Sequence, residues 1–181
     1  PEGRFRVHSL APKNVDAPPE SGYAPVVTAG DYVFVAGQLA RGPDGGLAAE
    51  AQVPRSYLWK GTQIALETEY LIRHRLAPAL QAAGSSLANV VKAQVYLTDI
   101  GETSGFLQAW TQHFGAHVPA TTIVPTAVPG LNTAGATIEV NLLALRDGGA
   151  TRKEPIALES ASGFGVLPAA VRAGDLLLLT G

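Results

Sequence analysis

The apolar residues of this chain change period along the sequence, and that change constrains the fold more than any other feature. Ala24-Pro-Val-Val-Thr-Ala and Tyr32-Val-Phe-Val-Ala-Gly37 are β-branched and aromatic runs on either side of Gly30-Asp31, which predicts a hairpin. From about Thr62 to Ala83 the spacing lengthens. Ile64, Thr68, Leu71, Leu76 and Leu80 there can line one helical stripe at three- to five-residue steps, stopped by Gly84. Pro78 lacks an amide hydrogen and crowds the turn before it, so a kink or a new helix start is expected at that point. Period two returns in Val90–Thr98, where Val91, Ala93, Val95 and Leu97 are expected on one face. Thr103–Phe114 reads as a short helix with Phe106, Leu107, Trp110 and Phe114 inward and Gly115 as its stop. Pro119–Thr126 and Thr137–Leu145 read as two further strands. The order β, β, α, β, α, β, β predicts an α+β fold, a mixed sheet with two helices packed on one face.

The hairpin recurs near the end of the chain. Val26-Val-Thr-Ala-Gly-Asp31 with Tyr32-Val-Phe-Val-Ala-Gly37 is matched by Ala170-Val-Arg-Ala-Gly-Asp175 with Leu176-Leu-Leu-Leu-Thr-Gly181, identical at five positions. The offset is a constant 144 residues, Gly30 to Gly174 and Gly37 to Gly181. The organisation expected is an extended leader (1–22), one complete unit (23–146), a linker (147–162) and the first hairpin of a second unit (163–181). A lone two-stranded ribbon is at best marginally stable in water, so another segment or a second chain is expected to complete it. Cleavage after Gly181 would create a new amino terminus, the nucleophile in some hydrolases, which makes an autoprocessed hydrolase an alternative reading.

Composition removes several function classes. Thirteen basic and fifteen acidic residues give a net charge of −2, too little field to gather nucleic acid or an anionic membrane surface. No apolar run approaches the roughly twenty residues that cross a bilayer, and a cytoplasmic setting is expected. The absence of cysteine excludes disulfides, thiolate nucleophiles and cysteine metal sites. His8, His74, His113 and His117 have no metal spacing, so no metal and no cofactor are expected. Gly42-Pro-Asp-Gly-Gly46 does not open a helix and is a turn, not a phosphate loop. Ser85-Ser86 reads as a cap. Trp59 and Lys60 are candidates for a lid over a cleft.

Ala82-Ala-Gly-Ser-Ser-Leu-Ala-Asn-Val-Val-Lys-Ala-Gln-Val-Tyr-Leu-Thr-Asp99 resembles a helix end and strand of the RidA/YjgF family, the reactive-intermediate deaminases also called L-PSP endoribonucleases. Tyr23 with Ala29-Gly30-Asp31, Val33-Phe-Val-Ala-Gly-Gln38, Pro119-Ala120 and Ile138-Glu-Val140 are similar to it in the same order, over about residues 23–145. The resemblance implies a chorismate-mutase-like unit that assembles as a trimer, or as a pseudo-hexameric ring in a tandem chain. Clefts between its subunits would take a small polar metabolite of the enamine or imine type. It implies Glu139 as the catalytic carboxylate that activates water, with Tyr23, Gly37, Gln38, Thr121 and Thr122 shaping the substrate pocket. The family's substrate-gripping arginine is replaced by Thr121, a neutral side chain that cannot make a bidentate contact to an acid. A non-catalytic ligand-binding or scaffold half is therefore the alternative. Thr121→Arg separates the two, because a gain of deamination would show a competent cleft that lacks only its anchor.

Overall fold

The computed structural model describes residues 24–54, 61–127, 131–157 and 165–181; the leader, Tyr23, Trp59 and Lys60 lie outside them. Strands β1 (Val26–Ala29) and β2 (Tyr32–Gln38) form the expected hairpin, in register from Val26 opposite Val35 to Ala29 opposite Tyr32. The turn bends at Gly30, whose positive φ of 59° only glycine adopts freely.

The long helical stretch has three parts. Helix α1 (Gln63–Leu71) starts where the Thr62 hydroxyl accepts the Ala65 amide. A wide π-helical turn follows over Ile72–Leu76, in which the Ala77 amide reaches back five residues to the Ile72 carbonyl. Helix α2 (Ala77–Ala82) continues from it, with Pro78, which has no amide hydrogen, in its first turn directly after the wide turn. The break that Pro78 predicts is thus real, and it lies one turn upstream of the proline.

Strand β3 (Val90–Leu97), helix α3 (Thr103–Phe114), strand β4 (Ala120–Pro125) and strand β5 (Ile138–Leu145) complete the larger sheet and its helical cover. Its mixed sheet has the order β1-β2-β5-β3-β4; β3 and β4 are parallel and the other pairs antiparallel. The helices cover one face, and the core between them and the sheet holds Ile64, Leu71, Leu76, Leu80, Phe106 and Trp110 among its buried residues. Both helical stripes therefore point where the sequence places them. Strand β3 departs at its start. A register shift between Val90 and Lys92 turns Val90 toward the helices and sends Val91 into a separate cluster on the opposite face.

That opposite face carries a second sheet of β6 (Lys153–Ile156), β7 (Ala170–Ala173) and β8 (Leu176–Leu179), antiparallel in that order. Part of the segment read as linker is therefore strand, with Pro155 on an edge strand where proline is tolerated. The β7–β8 register runs from Ala170 opposite Leu179 to Ala173 opposite Leu176, and Gly174 bends at φ 60°. Every pairing repeats that of β1–β2 at the 144-residue offset. Val171 and Ala173 pack on Val91, Ala120 and Leu145, and the Tyr32 hydroxyl donates to the Ala173 carbonyl at 2.9 Å. Lys153 donates to the carbonyls of Ala88 and His117, and burial pulls its amine down to about 8.

Candidate functional site

Glu139 is the second residue of β5, and its neighbour across the ladder is Tyr96 of β3. Alternation along β5 sends Ile138, Val140, Leu142 and Ala144 to the helices, so Glu139 points to the face away from them. Its place there depends on an irregularity in β2. Val35 stands opposite Leu142 and Gln38 opposite Val140, so Ala36 and Gly37 together face Asn141 in a bulge. A Cβ at position 37 would lie 2.1 Å from the Glu139 Oε1, so glycine is what admits the carboxylate. Glu139 is half-buried, and burial raises its pKa above the ordinary 4.5. Neither the Arg73–Glu69 nor the Arg172–Glu154 ion pair involves Glu139, and its shift comes from burial.

Gln38, next to Gly37, has returned to the helix side of the sheet and is buried. Its Nε2 donates to the Ala36 carbonyl at 3.0 Å and thereby fastens the bulge. Its Oε1 has no hydrogen-bond partner among the described residues.

Thr121 and Thr122 lie elsewhere. The parallel pairing puts Thr121 beside Ala93 and Thr122 beside Gln94. Thr121 thus faces the helix layer, whereas Thr122 shares the face of Glu139. Strand β3 separates β4 from β5, which sets these threonines about 10 Å to the side of Glu139 at ordinary strand spacing. Thr121 is fully buried, and its hydroxyl donates to the Pro119 carbonyl at 3.0 Å. Its backbone is engaged by the end of the second sheet: Gly181 N donates to Thr121 O, Ile123 N to Gly181 O, and Thr121 N to the Thr180 hydroxyl. Lys92 donates to the Thr122 hydroxyl and the Leu179 carbonyl. Gly181, the counterpart of Gly37 at the 144-residue offset, therefore sits on the edge of β4. The structure unites Gly37 with Glu139 and, separately, Gly181 with Thr121 and Thr122.

The family profile described as Endoribonuclease L-PSP matches residues 14–146. The chain belongs to this L-PSP family. Protein MMF1 of Saccharomyces cerevisiae, named as mitochondrial, is 30% identical over 117 residues, 64% of this chain and 72% of that protein. An L-PSP relative from Pyrococcus abyssi, named a RutC family protein, is 28% identical over 102 residues, 56% and 71% of the two chains. Among solved structures, yeast Mmf1 superposes with a TM-score of 0.58 at 27% identity, covering 77% of this chain and 94% of that one. A Mycobacterium tuberculosis member of the YjgF/YER057c/UK114 family does so with a TM-score of 0.54 at 30% identity, covering 69% and 87%. The mixed sheet with two helices is the fold of these L-PSP relatives. No helix among the described residues is long and apolar enough to cross a membrane.

One residue of this L-PSP chain stands out only in the structure. Glu67, on α1, is wholly buried, and burial raises its pKa. Its carboxylate accepts from Gln63 Nε2 at 2.9 Å, Thr137 N at 2.8 Å and Thr137 Oγ1 at 3.0 Å. A charged residue three places after Ile64 and four before Leu71, inside the apolar stripe, is the signal that could have found it.

Proposed function

We propose that this chain is a hydrolase of small enamine- or imine-type metabolites, with Glu139 as the base that activates water. One observation carries the reading. Glu139 is a half-buried carboxylate with a raised pKa, seated on a glycine that leaves room for nothing else. A carboxylate lifted toward neutrality can take a proton from water as the water oxygen adds to the C=N carbon, and can return it to the departing ammonia. Tyr23, Gly37 and Thr122 are assigned to the pocket wall, and Gln38, on the helix side of the sheet, to holding the bulge behind it. The test is Glu139→Gln, assayed as ammonia release from 2-aminoacrylate generated in situ. A loss of at least about 100-fold in kcat is expected, and an undiminished rate removes Glu139 from the chemistry.

We further propose that the cleft is shared between units. The C-terminal hairpin is read as the start of a second copy, because Leu177 and Leu179 are 58% and 60% exposed whereas their counterparts Val33 and Val35 lie under the helices at 0% and 2%. A helical layer from a further unit is the matching cover, in a trimer or pseudo-hexameric ring. Such a unit would bring its own groups to Glu139 and supply the substrate anchor that Thr121 does not.

The second reading, a ligand-binding or scaffold half without catalysis, is favoured by the burial of Thr121. Ligand protection against thermal unfolding without ammonia release is the outcome that would select it.

A further inference from the structure

We propose that Glu67 is a positioning residue for Glu139: its carboxylate fixes the first residues of β5 and couples them to the 51–53 segment across helix α1. This rests on the reading of Glu139 given above. The geometry is a continuous relay. Gln63 donates through Nε2 to the Ala51 carbonyl at 2.7 Å and accepts the Val53 amide on Oε1 at 3.1 Å. The same Nε2 donates to Glu67 Oε1 at 2.9 Å. Glu67 then takes the amide and hydroxyl of Thr137, and the amide of Ile138 is also turned toward it. On its other side Thr137 accepts the Thr98 amide on its carbonyl at 3.0 Å, so it is held between α1 and the end of β3. Glu139 is the second residue after this fixed point.

The partners require an acceptor on both oxygens. Gln63 Nε2, Thr137 N and Ile138 N can only donate, and the Thr137 hydroxyl donates in this arrangement. A glutamine at 67 offers one oxygen and an amide group. Kept toward Thr137 N, its oxygen leaves the amide facing Gln63 Nε2, donor against donor. Gln63 cannot turn over to relieve this without giving up both Ala51 and Val53. A charge-assisted acceptor at the centre of the relay is therefore needed to hold both ends together.

Among the described residues, no charged group is a cause of the Glu67 shift. On α1 itself Glu69 is paired with Arg73 at the surface. His74 and Arg75 of the wide turn, Glu50 before α1, His113 of α3 and Glu139 of β5 belong to elements packed around α1, and none is a cause of the Glu67 shift, which comes from burial opposed by these hydrogen bonds. Because the folded pKa is raised, the stability contributed by the proton is full below about pH 4.5 and is lost as pH rises through the raised value.

The experiment is an NMR titration of the whole chain and of Glu67→Gln, following backbone amides and the Glu139 carboxyl. In the natural chain the amides of Thr137, Ile138 and Val53 are expected to share one midpoint above 4.5. In Glu67→Gln that shared midpoint is expected to vanish and the Glu139 midpoint to fall toward 4.5, as its side chain loses its setting. A purely architectural role would lower Tm and leave the Glu139 midpoint in place, which overturns the proposal. So does a shared midpoint that survives the substitution. Should the variant fail to fold, the natural chain decides alone, since separate midpoints for Thr137 and Val53 refute the coupling. An active Glu139→Gln enzyme would sink the catalytic reading without touching these amide titrations, so the two failures are distinguishable.

Discussion

The Glu139 carboxylate rests against the α-carbon of Gly37, in a space that any side chain at 37 would fill. Gly37 is not among the glycines with positive φ, so alanine is compatible with its backbone, and the nearest conflict is with Glu139. Gly37→Ala is expected to fold, losing about 1 kcal/mol. The displaced carboxylate moves into water, so its pKa should drop toward 4.5 and ammonia release should fall with it. Chemical denaturation and a carboxyl titration measure the two effects; an unchanged Glu139 midpoint contradicts the crowding argument.

The rate should depend on pH in one direction. Water activation needs Glu139 ionised, and burial lifts its pKa. The acid limb of kcat/KM is therefore expected to bend at a pH above 4.5 and to rise toward neutrality. A limb that bends at or below 4.5, or one that persists in Glu139→Gln, assigns the proton transfer to another group.

Leu177 and Leu179 test the shared cleft. Both are exposed, so changing them together to lysine should alter the unfolding free energy of the isolated chain by only about 0.5 kcal/mol per site. If a further helical layer covers them, the same change should reduce the assembly mass seen by light scattering. A mass that does not respond leaves the hairpin without the cover proposed for it.

Thr121→Arg should damage the fold instead of creating an anchor. Thr121 is fully buried, with its backbone joined to Gly181 and Thr180. A guanidinium there overfills packed space and carries a charge out of water, a loss of roughly 3 kcal/mol or more. A variant with unaltered Tm would mean that β7 and β8 do not seal this edge in solution.

What the sequence disclosed was whatever depends on near neighbours. The Gly30 hairpin, the inward stripes of α1 and α3 and the equivalence of β7–β8 with β1–β2 follow from spacing and turn chemistry within a few residues. Face assignments were less legible, because counting by twos assumes an unbroken pleat. The bulge at Ala36–Gly37 and the shift at Val90–Lys92 each insert a residue, turning Gln38 inward and Val91 outward. The separation of Thr121 from Glu139 was hidden for a different reason: the order of strands in space is not their order in sequence. Glu67 gave no such lead: a charge on an apolar stripe names no role by itself, and its partner Thr137 is seventy residues away.

The wide turn at Ile72–Leu76 has a bearing on how the helical stretch keeps its alignment. In an unbroken α-helix each residue advances about 100°, and Leu76 and Leu80 would then be rotated well away from the line through Ile64, Thr68 and Leu71. Absorbing one additional residue in a looser coil cancels that rotation, so the segments before and after it meet the sheet along a common edge. The insertion acts as a phase corrector: length is gained within the helix, and the angular error stays on the outer side with exposed Arg73 and His74.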